Sequence, residues 1–266
     1  MSACIIREYR GDDVPALKRL WQAVFGDTEE LIDAFFALLP GMGTGVAAEA
    51  DGLPCGMAFL IDGLSVSGRK VGYLYAVAVD PARRGQGLGA ALSREAFRIG
   101  RLRGAEILCT QPAEPSLFDW YQKILGVECV LRRRTELLPC FPGLSPAILS
   151  AEDYTAKREA LLSGQAHLCL SDHAMLFEKA LCRSCGGDLY RIGDGLAAAY
   201  LDGDRAVIRE LLLPEGSDRA ATASSLGAAL AAKDVLLCSA DPNGEPYLAG
   251  IPGSIPVDLE WNLSFD

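Results

Sequence analysis

The stretch Val77-Ala78-Val79-Asp80-Pro81-Ala82-Arg83-Arg84-Gly85-Gln86-Gly87-Leu88-Gly89-Ala90 decides how the rest of the chain is read. A β-prone run stops at Asp80-Pro81, a glycine-dense loop follows, and an Ala/Leu-rich segment continues from it. Leu88, Ala91, Leu92, Ala96, Ile99 and Leu102 share one stripe at helical spacing, so residues 88–102 read as an amphipathic helix, stopped by Gly104. Strand, loop and helix in that order form an anion cradle. Glycines let backbone N–H groups approach an anion closely, and the helix N-terminus adds partial positive charge. Arg83 or Arg84 can add a charged contact. The bland alternative is a glycine-rich turn required only for tight packing.

Upstream, Ile5 to Tyr9 reads as a strand, Asp12-Asp13-Val14-Pro15 opens a helix, and Glu29 to Leu39 is a second helix stopped at Pro40-Gly41. Residues 45–49 and 55–62 form a hairpin about Asp51-Gly52, and residues 72–79 a further strand. Downstream, residues 106–111 are a buried strand, 117–125 a short helix ended by Gly126, and 127–138 another strand. This order predicts an α+β (mixed α/β) fold around a mostly antiparallel sheet. Pro139, Pro142, Gly143 and Pro146 mark a boundary, giving expected domains over 1–140 and 141–266. The second half repeats the first in outline: strand 208–213 is closed by Pro214 as strand 74–80 is closed by Pro81. Leu226-Gly227-Ala228-Ala229-Leu230 echoes Leu88-Gly89-Ala90-Ala91-Leu92, and Leu236 to Ser239 echoes Ile107 to Thr110.

Composition narrows the function. With 266 residues, 50% hydrophobic and 23% charged, the chain is an ordinary globular one. Its net charge of −10 argues against non-specific nucleic-acid binding and against an anionic membrane surface. A cationic substrate such as an amine is not repelled. No run approaches the about 20 apolar residues of a membrane span, and Arg7 and Glu8 stand where a signal peptide needs apolar residues, so a cytoplasmic protein is expected. The nine cysteines are scattered, mostly in apolar runs, and read as buried free thiols; Cys182-x-x-Cys185 has no second pair at zinc spacing. The only two histidines, His167 and His173, show no metal-binding spacing along the chain, so no metal centre is expected.

Two phosphate motifs compete for the loop. Gly85-x-Gly87-x-x-Ala90 formally fits the dinucleotide fingerprint, but the strand at 106–111 ends without the carboxylate that motif needs, and three strands precede the one that runs into the loop. Arg84-Gly85-Gln86-Gly87-Leu88-Gly89 instead satisfies the acetyl-CoA signature Arg/Gln-x-x-Gly-x-Gly/Ala in full, after a strand ending Val79-Asp80-Pro81. Here the chain resembles the GNAT superfamily of N-acetyltransferases, over about residues 3–140. Ser116 to Gly126 also looks like that family's later helix, with its tyrosine at Tyr121 and its glycine at Gly126. The sequence departs from the pattern in places. One extra residue precedes Gly126, Val127 replaces an aromatic, Glu114 stands where many members have Asn, and Tyr73 falls where histone-acetylating members carry a general-base Glu.

The resemblance implies the GNAT acyl-CoA N-acyltransferase fold, a central sheet flanked by helices, with acetyl-CoA as co-substrate. It implies cofactor contacts from Val77, Ala78, Val79, Arg84, Gly85, Gln86, Gly87, Leu88, Gly89 and Ala90. Pantetheine would lie between strands 72–79 and 106–111, with the Val79 N–H on the thioester carbonyl and Tyr121 as the catalytic acid. Glu49, Asp62 and Glu114 are candidate bases, each equally readable as surface charge. Arg132-Arg133-Arg134 either approaches the CoA phosphates or forms a solvated edge. The second half looks like a degenerate GNAT-like domain, whose loop Glu215-Gly216-Ser217-Asp218-Arg219-Ala220 should repel a pyrophosphate. The expected function is N-acetyl transfer to a small-molecule or peptide amine, with no nucleic acid or membrane partner and a homodimer left open. The alternative is an acyl-CoA-binding sensor without turnover.

Overall fold

The computed structural model describes residues 4–256, 259–263 and 265. It divides into two compact units, residues up to 130 with 246–256, and residues 131–245 with the C-terminal segment.

The first unit begins with β1 (Ile5–Glu8). Helix α1 (Val14–Phe25) follows, then α2 (Glu29–Met42), whose Thr28 hydroxyl accepts from the Leu31 amide. Helix α2 runs through Pro40 instead of stopping there. In the last turn a proline forfeits one backbone bond, and the Gly43 amide still closes on Leu39. Strands β2 (Gly43–Ala50), β3 (Leu53–Val66) and β4 (Arg69–Val79) form an antiparallel meander. Its tight turns are Asp51-Gly52 and Ser67-Gly68, with all four residues at positive φ as a type I′ hairpin turn demands. Helix α3 (Leu88–Leu102) then crosses to β5 (Ile107–Thr110), which lies parallel to β4. Helix α4 (Ser116–Leu125) follows. Leu92, Ala96, Phe97 and Ile99 of α3 pack on Val46, Ala58, Leu60, Leu74 and Leu108 of the sheet, and Tyr121 of α4 joins that core. On α1 and α2, Trp21 and Phe35 form an aromatic cluster with Phe59 and Tyr75 of the sheet.

The second unit takes in most of β6 (Glu128–Pro139), then β7 (Pro146–Ile148), helix α5 (Ala151–Leu161), β8 (Leu168–Leu170) and α6 (Asp172–Ser184). Strands β9 (Asp188–Ile192), β10 (Gly195–Asp202) and β11 (Arg205–Leu212) are antiparallel; α7 (Arg219–Ala229) then crosses to β12 (Asp234–Ala240), parallel to β11. The topology therefore matches β2 to β5 step for step, as the sequence repeat predicts. Strand β6 runs antiparallel beside β12, with Leu237 opposite Glu136.

The expected division after residue 140 is corrected in two ways. The units part at 130/131, because from Leu131 onward β6 belongs to the second unit. The last strand, β13 (Glu245–Gly250), returns to the first, where Ala249 and Gly250 pair antiparallel with Thr110 and Cys109 of β5. Among the described residues no helix is long and apolar enough to cross a membrane.

The second unit also buries a charge network. Glu210 on β11 accepts from Arg158 Nε at 3.0 Å and from the Tyr154 hydroxyl at 2.9 Å, and all three side chains are sealed from solvent. Removing one member of a buried pair strands the other. Arg158→Met should therefore destabilise the protein by about 3–5 kcal/mol, and Arg158→Met/Glu210→Met by less, in urea denaturation.

Candidate active site

Parallel pairing between β4 and β5 runs from Val71–Ile107 to Leu74–Thr110 and goes no further. Beyond it, β4 carries a bulge against β3 at Ala76, a non-glycine residue held at φ 47°. The Asp80 amide bonds the Cys55 carbonyl of β3 at 2.9 Å. Backbone groups alternate in direction along a strand, so Ala78 also faces β3, while Val77 and Val79 direct theirs to the side that β5 has left.

The loop after β4 is built by local chemistry. The Asp80 carboxylate accepts from the Ala82 amide at 2.9 Å and starts a 3₁₀ turn at Pro81–Arg83. Gly85 and Gly87 both sit at φ 77°. A Cβ on either would meet nothing within 4 Å, so conformation requires the glycines and packing does not. Gly87 is the N-cap of α3 and supplies no capping side chain, which leaves the first helix amides aimed outward.

These elements enclose a cavity of about 730 Å³. Val77, Ala78, Val79, Arg84, Gly85, Gly87, Leu88, Gly89 and Ala90 all line it, as does Tyr121. Gln86 lies in the loop but outside the lining. Sequence reasoning missed Val24, Ala113, Leu117 and Trp120, which also line the cavity. Trp120 carried a weak signal, standing one residue before Tyr121; Val24, at the end of α1, carried none. Arg84 folds back so that its Nε donates to the Val79 carbonyl at 3.3 Å, and Arg83 pairs with Asp51.

Tyr121 is buried, with its ring edge-on to Trp120. Burial pushes its phenol up to about 12, against a smaller opposing effect from the hydrogen bond with Thr110. The hydroxyl is therefore a proton donor at neutral pH. The three candidate bases separate cleanly. Glu49 is held by Arg7 at 2.8 Å, and Asp62 by Arg103 at 2.6 Å and Lys70 at 3.0 Å, so both serve structural ion pairs. Glu114 lines the cavity. Tyr73 is 3% exposed within β4, its ring beside Tyr75. Of the arginine run, Arg132 Nη1 donates to the Gly244 carbonyl at 3.1 Å.

Residues 14–127 match the family model described as Acetyltransferase (GNAT) family. The first unit carries a GNAT domain. Solved structures of the same fold span nearly the whole chain. A conserved protein of unknown function from Enterococcus faecalis V583 is similar at TM-score 0.70 and 11% identity, covering 94% of this chain and 72% of that one. A GCN5-related N-acetyltransferase from Kribbella flavida is similar at TM-score 0.64 and 16% identity, covering 94% and 71%. Eis1 from Mycobacterium abscessus is similar at TM-score 0.59 and 16% identity, covering 92% and 66%. At these identities the likeness establishes the fold. No curated protein matches the sequence.

The Tyr121 phenol of the GNAT domain has a pH signature. Its folded value, about 12, lies above the ordinary 10, so the stability it contributes is complete below pH 10 and is lost as pH rises toward 12. Across that window the Tm of the wild type should fall relative to Tyr121→Phe, followed by circular dichroism.

Proposed function

We propose that the first unit is an acetyl-CoA-dependent N-acetyltransferase that uses an amine acceptor. The observation that carries this reading is the coincidence, around one cavity, of the side of β4 at Val77 and Val79 that β5 does not pair, the uncapped start of α3 at Gly87, and Tyr121. An anionic pyrophosphate suits the outward amides of α3. The extended pantetheine amides suit the strand edge at Val77 and Val79.

In this reading the residues divide the chemistry between them. The Val79 N–H faces the thioester oxygen and steadies the negative charge that develops as the amine nitrogen attacks the carbonyl carbon, worth about 3 kcal/mol for one such donor. Breaking the carbon–sulfur bond leaves a thiolate, which takes the Tyr121 proton. The attacking nitrogen sheds its own proton to Glu114, directly or through water, and the phenolate is reprotonated from solvent. Glu114 is favoured over Glu49 and Asp62 because those two are neutralised by Arg7, Arg103 and Lys70. With Tyr73 in place of a strand carboxylate, acceptor deprotonation falls to Glu114 of the cavity lining.

We further propose that the second unit is a degenerate GNAT-like domain of a tandem arrangement and binds no CoA. Where α3 begins at Gly87, α7 begins at Asp218, whose carboxylate accepts from the Ala221 amide at 2.9 Å. That helix start holds its own anion, and Glu215 adds another beside it.

Calorimetric titration with acetyl-CoA tests the reading. One site per chain with micromolar affinity is expected, lost in Gly87→Glu and retained in Tyr121→Phe. Tyr121→Phe should lower kcat by about 10²–10⁴-fold in an amine panel. Two sites per chain would overturn the assignment of the second unit. Binding without transfer to any amine would turn the protein into an acyl-CoA sensor, and no binding would remove the reading altogether.

A further inference from the structure

In the second unit three side chains with metal-binding atoms converge. Glu159 comes from the last turn of α5. His167 immediately precedes β8 and Cys169 lies within it, two residues apart, so strand alternation turns both to one side. His167 Nε2 lies 2.9 Å from Glu159 Oε2 and 3.4 Å from the Cys169 sulfur, which itself lies 3.7 Å from Glu159 Oε2. A tetrahedral zinc ion, with bonds of about 2.0–2.3 Å, would set the N–O, N–S and S–O separations near about 3.3, 3.6 and 3.5 Å. The three side chains already stand within about 0.4 Å of those tetrahedral edges.

Hydrogen bonding around the ring points the same way. A carbonyl oxygen only accepts, so the 2.8 Å contact between His167 Nδ1 and the Gln165 carbonyl puts a proton on Nδ1. The other ring nitrogen then faces a carboxylate oxygen and a sulfur, so three metal-binding atoms are turned toward one another. The carboxylate is oriented too, because its other oxygen, Oε1, lies 3.5 Å from Arg158 Nη1. That same Nη1 donates to the Leu168 carbonyl at 2.6 Å, and the Leu168 amide donates to the Glu260 carbonyl at 3.0 Å. The backbone between His167 and Cys169 is thereby pinned on both sides. Outer partners that fix ring tautomer and ligand direction are what metal sites require.

We propose that Glu159, His167 and Cys169 bind one zinc-class divalent cation, with the fourth tetrahedral position open to water or an external donor. Imidazole, thiolate and a single carboxylate suit Zn²⁺, whereas Mg²⁺ and Ca²⁺ take oxygen ligands. On binding, the Cys169 thiol gives its proton to solvent and the sulfur becomes the ligand. Spacing along the chain alone gives an expectation of no metal, because the third donor arrives from a different element.

Titration of chelator-stripped, full-length protein with Co²⁺ tests the proposal. The expected result is one ion per chain, intense visible bands of tetrahedral cobalt, a sulfur-to-cobalt charge-transfer band in the near ultraviolet, and displacement of all of these by Zn²⁺. Cys169→Ser should abolish the charge-transfer band and Glu159→Gln should weaken binding. Cys185→Ser, which removes an exposed thiol elsewhere in the unit, should change neither. The wild-type spectrum decides even if a variant fails to fold. Weak octahedral bands, the lack of a sulfur band, or a Cys169→Ser spectrum like the wild type would leave only a His167–Glu159 ion pair and overturn the proposal.

Discussion

Everything in the first unit that faces the cavity depends on β4 and β5 parting after Leu74. Parallel strands normally continue their ladder as far as both extend, and such a ladder would have used the amides of Val77 and Val79. Here β5 itself ends at Thr110, opposite Leu74, and two residues further on β4 bulges at Ala76. A left-handed alanine costs about 1–3 kcal/mol and persists only where its surroundings hold it. Pairing on either side does so, with Tyr75 opposite Phe59 and Ala78 opposite Met57. The same bulge sets the direction in which Asp80 leaves the strand, and so the place where the glycine loop delivers α3.

The two units share one topology and differ at equivalent places. Each runs antiparallel strands into a parallel β-α-β crossover. At the helix start one has Gly87 and the other Asp218, so the second helix carries a carboxylate on its Ala221 amide where the first has no capping side chain. Charged residues divide in the same manner. Asp62 and Glu49 are consumed by arginines and lysine, Glu210 by Arg158 and Tyr154, while Glu114 stays at a cavity. Residue type alone does not separate these roles; the partner does.

That distinction marks what was legible in the sequence. Residues 77–90 could be read directly, because a glycine loop between strand and helix has few structural meanings, and the strands and helices around it followed from period and turn chemistry. Helix α5 was not read. It buries Tyr154 and Arg158, and an inward arginine erases the apolar stripe by which helices are recognised. Its balancing charge, Glu210, lies far along the chain and became visible only in three dimensions. Pro40 looked like a helix stop because the cost of a proline depends on how many turns remain after it. The cluster at Glu159, His167 and Cys169 was hidden for a related reason, since two of its members share a strand face and the third comes from the neighbouring helix.

Strand β13 has a consequence for the order of events during synthesis. Its residues pair with Cys109 and Thr110, yet almost the entire second unit is made between the two partners. Until that segment emerges, the open edge of β5 presents bare amides and carbonyls flanked by Ile107, Leu108 and Cys109, the kind of edge that recruits foreign strands. Closing so long a loop is slow, and its entropy is lost before any contact rewards it. The chain therefore makes most of its first unit early in synthesis and covers the β5 edge only after almost all of the second unit has been made.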